Sequence, residues 1–194
     1  MDSHYVLHRL IPYRLQAVAS FNHVLRLNSA WDGARPMQLL IDGKLVIEGN
    51  SNAFTNPVIE TGLIHCRALL EFLGLSMSKA GTLQSLQRTR SKGDVGIEQF
   101  SNAGGPLPLV SPALAISHCP GGAAEVEQAL FSVFHTANKG LAHLTSSFIE
   151  AVEQAKLLEI ASRRVPALIV SHWYTPLGLQ APEYQLKSRP REDS

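Results

Sequence analysis

The stretch TNPVIETGLIHCRALLEFLGL, residues 55–75, leaves this chain the least freedom in what it can fold into. Ile59, Leu63, Cys66, Leu70 and Leu73 recur at three- and four-residue steps. That spacing puts them on one stripe of an α-helix and on no single face of a strand. Asn56 before Pro57 reads as an N-cap and first helical residue, and Gly74 as the residue that ends the helix. A glycine inside a helix costs about 1 kcal/mol relative to alanine, so Gly62 predicts the close approach of a neighbouring helix. A stripe of this width must be buried against other apolar stripes.

The rest of the chain supplies them. Leu7, Leu10, Leu15, Val18, Phe21 and Leu25 predict a helix over 3–28, kinked or started at Pro12. Val126, Leu130, Val133, Ala137, Leu141 and Leu144 predict another over 123–144. Phe148, Val152, Ala155 and Leu158 predict a third over 147–163, after which Pro166 opens a short apolar segment, PALIVSHWY. Between the first two helices, MQLLIDGKLVIEGN places Asp42-Gly43 between β-prone runs. An Asp-Gly pair accepts the positive φ that a tight hairpin turn demands, so a hairpin is expected at 37–48. A lone hairpin is marginal in water, so it is expected to pack on the helices. Residues 76–122 are punctuated by Gly, Pro and Ser, which predicts irregular chain with short helices near 79–88 and 94–100. The basic cluster Arg88, Arg90 and Lys92 within it reads as a solvated loop. The expected fold is mainly α: a helical bundle with a small β-hairpin attached, as one domain over 1–175. A mobile tail over 176–194 is expected to follow.

Charge narrows the partners. The 17 basic and 16 acidic residues leave a formal net charge of +1, which makes no electrostatic case for a dedicated DNA-binding surface. Charged residues are 17% of the chain, below the roughly 25% of soluble domains. Part of the surface is therefore expected to be covered by a partner, with the apolar segments 107–116 and 167–174 as the expected contact regions. The two cysteines, Cys66 and Cys119, lie far apart, and the opening MDSHYVLHRLIPYRL lacks the continuous apolar core of a secretory signal. No segment has the apolar length of a membrane span. A cytoplasmic protein with reduced thiols, touching no membrane, is expected.

Few motifs carry chemistry. His65-Cys66 and His118-Cys119 pair zinc-ligand types, but neighbours on one helix point about 100° apart. No metal or cofactor site is read from them, and Cys66 falls on the apolar stripe as a small hydrophobe. No nucleophile elbow or phosphate-binding glycine loop is present. Asp94 and Glu98, four apart, would face one another on a short helix and read as solvated acids. The stretch HTANKGLAHLT is different. His135, Lys139 and His143 fall at i, i+4 and i+8 on one helical stripe, with Asn138 beside it. These polar groups either tie helices together through satisfied hydrogen bonds or line a cleft where a histidine moves protons.

Asn138 to Thr145, NKGLAHLT, resembles the N-K-x-x-x-H-L-T element of uncharacterised bacterial helical proteins. Their H-x-R-x-L-L-x-F-L helix resembles His65 to Leu73 of this chain. A more distant similarity is to HEPN domains, helical bundles that often dimerise and in many cases cleave RNA without a metal. Their motif is an arginine followed by a polar residue, with a histidine several residues later. Asn138 and His143 fit it, but Ala137 occupies the arginine position, so Lys139, or Arg67 from the other helix, would have to supply the cation. Losing a preorganised cation at a developing phosphate charge costs orders of magnitude in rate. The resemblance therefore implies a non-catalytic or degenerate binding module that forms a homo-oligomer or meets a protein partner. The alternative it leaves open is an RNA-cleaving enzyme using His143, Asn138 and Lys139 or Arg67.

Overall fold

The computed structural model describes residues 2–87, 89–117, 122–140 and 152–186, with Lys139, Gly140 and Val152 placed by their backbone only. The chain enters through a single turn, α1 (Ser3–Tyr5), capped by the Asp2 carboxylate, which accepts from the Tyr5 N–H. It widens into a π-helical turn over Val6–Leu10 and continues as α2 (Ile11–Ala30). Pro12 accounts for the widening. Proline lacks an N–H, and its ring would crowd the carbonyl four residues back in a regular helix. In the wider register Ile11 donates to the Val6 carbonyl instead.

The hairpin forms where expected, as β1 (Pro36–Ile41) and β2 (Lys44–Asn50), with Asp42 at φ 51° and Gly43 at φ 75° in the turn. Leu39 pairs with Ile47 and Leu40 with Leu45, so Val46 is an extra residue that bulges β2. Contrary to expectation, the ribbon does not lie on the helices: nearly every residue of both strands is exposed. Its base is held by Ser51, which donates its N–H to the Arg35 carbonyl and accepts the Arg35 N–H on its hydroxyl.

The next helix, α3 (Asn52–Phe72), begins a turn earlier than the Asn56-Pro57 signal implied. Asn50 Oδ1 caps the Ala53 N–H, and the Ala53 carbonyl that Pro57 leaves without a donor sits on an exposed residue. Gly74 ends the helix as expected, at φ +91° with its N–H on the Glu71 carbonyl. Leu109 lies against it where a side chain would project.

The following segment departs from expectation. In place of helices near 79–88 and 94–100 come a small hairpin, β3 (Leu75–Met77) with β4 (Leu83–Ser85), and a single 3₁₀ turn at Ile97–Gln99. A second ribbon, β5 (Ser101–Asn102) with β6 (Gly105–Pro106), and a short α4 (Pro112–Ile116) follow. The segment owes its order to Ile97, Phe100, Leu107, Val110 and Ala115, all buried. Residues 107–116 are therefore partly core, a correction to the wholly exposed segment expected, with Leu109 and Leu114 left exposed.

The last two long helices are α5 (Ala123–His135), continued by a π-helical turn over Thr136–Gly140, and α6 (Val152–Ile169). The expected helix ends at 141–144 and 147–151 lie outside the described residues. Pro166 does not end α6; the helix runs through it into another π-helical turn, Val170–Tyr174. Close to the break, the Ser162 hydroxyl donates to the Glu159 carbonyl and accepts from Asn22 Nδ2 at 2.8 Å, tying α6 to α2.

The architecture is mainly α with small antiparallel hairpins. Helix α3 packs most extensively on α2, α5 on α6, and α6 reaches both α2 and α3. Leu15, Phe21, Leu63, Leu70, Leu130, Leu158 and Leu168 are fully buried between them. Gly62 has the role its position predicted: a Cβ there would run into Phe21. Trp173 is fully buried, with Phe72 and Phe100 each edge-on at 5.2 Å, and Tyr174 donates its hydroxyl to the Leu7 carbonyl. Residues 167–174 are thus largely core, a second correction to the expected contact surface. Beyond them Leu177, Ala181 and Tyr184 still pack against the core. Among the described residues no helix is long and apolar enough to cross a membrane.

Candidate functional site

Two of the four residues singled out by sequence meet in space. Asn138 lies in the turn that continues α5, and Arg67 projects from α3 toward it, donating Nη1–H to Asn138 Oδ1. Arg67 also donates Nε–H to Glu71 Oε1 at 3.0 Å, an ion pair one helical turn along the same face. Both ionic side chains are a little over a third exposed, so the pair itself adds little stability. Lys139 is placed by its backbone only, and His143 lies outside the described residues. His135, the third member of the expected stripe, stands edge-on to Phe131 at 5.7 Å.

Arg67, Glu71, Gln84, Met77, Phe134 and Asn138 border a cavity of about 280 Å³ between α3, α5 and the β3–β4 hairpin. One guanidinium, one carboxylate and the carboxamides of Gln84, Gln87 and Asn138 border it beside an apolar wall of Met77, Leu86 and Phe134. Arg67 Nη2 makes no hydrogen bond to a described residue, so the guanidinium keeps donors for a carbonyl or phosphate oxygen. The Glu71 carboxylate balances its charge at once. An arginine matched in this way holds a polar ligand better than it stabilises a new negative charge.

His65 and Cys66 behave as the helix geometry predicted, not as a metal pair. Cys66 is fully buried and burial pushes its thiol pKa up, so it packs as an apolar group. His65 turns the other way and accepts Arg14 Nη1–H on Nδ1 at 3.0 Å. Since arginine only donates, the ring proton must sit on Nε2 and the imidazole is neutral. Burial first, and the Arg14 charge second, lower the His65 pKa. Tyr13 stands edge-on to the same ring at 5.1 Å. Among the described residues no three His, Cys, Asp or Glu side chains converge to hold a metal. His118 and Cys119 lie outside them.

The basic and acidic residues of the loop are a correction. Arg90 is no solvated loop residue: its side chain is only 12% exposed. It grips both Glu98 carboxylate oxygens, at 2.6 and 3.2 Å, and donates to the Glu71 and Phe72 carbonyls at 2.9 and 3.1 Å. Those two carbonyls belong to the last turn of α3, where a cation is favoured. Burial alone would raise the Glu98 pKa, but the hydrogen bonds and charge of Arg90 outweigh it and hold the carboxyl low. Asp94 does not face Glu98; it accepts the Ser91 N–H across a turn. Lys92 is exposed and Arg88 lies outside the described residues.

Two residues that organise this region, Arg14 and Arg90, were missed by motif. Arg14 did carry a signal: it lies three residues after Ile11 and four before Val18, on the buried side of α2. Arg90 carried none, because its partners on α3 are 18 and 19 residues away.

Comparison with protein-family models, with curated proteins and with solved structures finds no match.

Proposed function

We propose that the protein is a non-catalytic, HEPN-like binding module of the cytoplasm that works as a homo-oligomer, with the β1–β2 ribbon as its contact surface. The observation that carries this reading is the exposure of Leu39, Leu40, Ile41, Leu45, Val46 and Ile47, each between 44% and 55%. Isolated exposed aliphatics are ordinary, but six on one ribbon form a patch of the kind that marks an interface. A two-stranded ribbon is marginal alone and gains from added strands. Its two edges are unequal. β2 carries Lys44, Glu48 and the Val46 bulge, which discourage pairing. β1 reads PMQLLI, without a charge, and the extra residue lies on its neighbour. The open edge is β1, and antiparallel pairing of two copies along it would make a four-stranded sheet about a two-fold axis.

A second reading, RNA cleavage with His143 moving the proton, is favoured by one observation: Arg67 reaches Asn138, so a cation does stand beside that element. Glu71 on the same guanidinium counts against it.

One set of preparations separates the two. Light scattering on size-fractionated protein should show a dimer or higher oligomer that the Leu39→Lys, Leu40→Lys double variant converts to monomer with its melting temperature kept. A monomeric wild type, or an oligomer indifferent to both changes, would sink the binding reading. Cleavage of single-stranded RNA in the presence of chelator, lost in Arg67→Ala, would put the enzyme reading in its place.

A further inference from the structure

A different cavity, of about 280 Å³, runs between the first π-helical turn, α2, the end of α3 and residues 86–95. That is just below the roughly 300–1,000 Å³ of pockets for drug-sized ligands, so it suits a small molecule. Leu10, Ile11, Phe72 and Val95 give it an apolar wall. Four charged side chains also border it, and three are already matched. Arg90 is spent on Glu98 and the α3 carbonyls, with four hydrogen bonds from its five N–H groups. Glu71 holds Arg67, and Asp94 accepts the Ser91 N–H.

Arg14 is the exception. It forms no ion pair with a described carboxylate, and its recorded hydrogen bond goes to a neutral imidazole. Burial draws the guanidinium pKa down, against a smaller opposing influence of Tyr13. A half-buried cation normally has a counter-ion, because removing charge from water is costly unless it is paired. Among the described residues no carboxylate bonds Arg14: Glu71 and Asp94 border the same cavity but are engaged by Arg67 and by the Ser91 N–H.

The geometry points to a binding site for a small monocarboxylate with an apolar body, its carboxylate on Arg14 and its hydrocarbon along Leu10, Ile11, Phe72 and Val95. The planar guanidinium suits a carboxylate, which it can meet with two parallel hydrogen bonds. Glu71 and Asp94 on the same cavity disfavour a doubly charged phosphate by repulsion. His65 is the positioning residue: by accepting one Nη1–H it fixes the plane in which the guanidinium presents its other donors.

Isothermal titration of the full chain with hexanoate, its neutral isostere hexanamide and inorganic phosphate tests this. Hexanoate should bind one to one, with hexanamide and phosphate each at least about tenfold weaker, the loss expected when a charge-assisted contact is absent. Arg14→Gln should lose binding by at least about tenfold while Arg14→Lys keeps part of it. Ala68 borders the cavity, so Ala68→Phe should block it from a different wall. Absence of hexanoate binding, equal binding of the amide, tighter binding of phosphate, or indifference to Arg14→Gln and Ala68→Phe would each overturn the assignment. If Arg14→Gln does not fold, Ala68→Phe and the three-ligand comparison on wild type decide the matter.

Discussion

Arg90 shows how much one side chain of a loop can hold together. Its guanidinium joins two parts of the fold: the Glu71 and Phe72 carbonyls in the last turn of α3, and Glu98, which anchors the 3₁₀ turn. Gly96 leaves the room, since a Cβ there would meet the guanidinium. Arg90→Ala removes the partner of the Glu98 carboxylate and of the Phe72 carbonyl, while the Glu71 carbonyl keeps the Gly74 N–H, and is expected to destabilise the fold by about 2–3 kcal/mol, measured by urea unfolding. Arg90→Lys should recover little of this, because an ammonium cannot fork to a carboxylate and two carbonyls at once. An unfolding midpoint unchanged in Arg90→Ala would show that the grip is incidental.

Among elements, the α2–α3 contact is the tightest. Gly62 lets the α3 backbone come down onto Phe21, and Gly62→Ala should therefore destabilise despite alanine's better helix propensity. Overpacking of this kind costs about 1–3 kcal/mol; a midpoint that rises on substitution would refute the close contact. This contact was legible beforehand, as were the Asp42-Gly43 turn and the Gly74 stop, because each rests on what a few consecutive residues can do with their backbone. The elements misread were those decided at a distance. Residues 79–88 carry no apolar stripe strong enough to choose helix over strand, and β3–β4 is settled by burial of Leu75 and Leu83. Pro57 and Pro166 looked like boundaries, yet both helices run through them. Of the candidate site, Arg67 and Asn138 were named, while Arg14 showed only as an arginine on the buried side of α2, a signal that acquires a role once its partner His65 on the next helix is known.

For the whole molecule, neutral histidines set an acid limit. His65 and His172 both have lowered pKa values, from burial first and then from Arg14 and Arg164 respectively. In the unfolded chain each takes a proton near pH 6.5, while the folded protein resists until lower pH. Between those two points the unfolded state binds more protons, so stability is full above about pH 6.5 and declines as pH falls below it. Urea unfolding at successive pH values should show this fall, and His65→Gln, whose carbonyl oxygen still accepts from Arg14, should flatten part of it. A stability profile level from neutral pH down to the carboxylate range would contradict the neutral state of buried His65 and half-buried His172. At still lower pH Glu98 adds to the loss as its carboxyl, held low by Arg90, at last takes a proton.

The π-helical turns have a consequence for how the chain tolerates change in length. Each contains one residue more than a regular helix would use, and each residue turns a helix by about 100°. The wide turn takes up that extra residue within one revolution, so removing a residue from Val170–Tyr174 would restore ordinary helix and leave the chain beyond it facing as it does now. A residue added to or removed from the regular part of α6 would instead turn Trp173 away from Phe72 and Phe100 by about 100°. The hairpin tip at Asp42-Gly43 is exposed, and a length change there turns nothing packed in the core. Single-residue insertions and deletions should therefore fall at the ribbon's end and in the π-helical turns and be purged from the regular helix between them, a pattern of gaps that any set of relatives of this chain would carry as a signature of its fold.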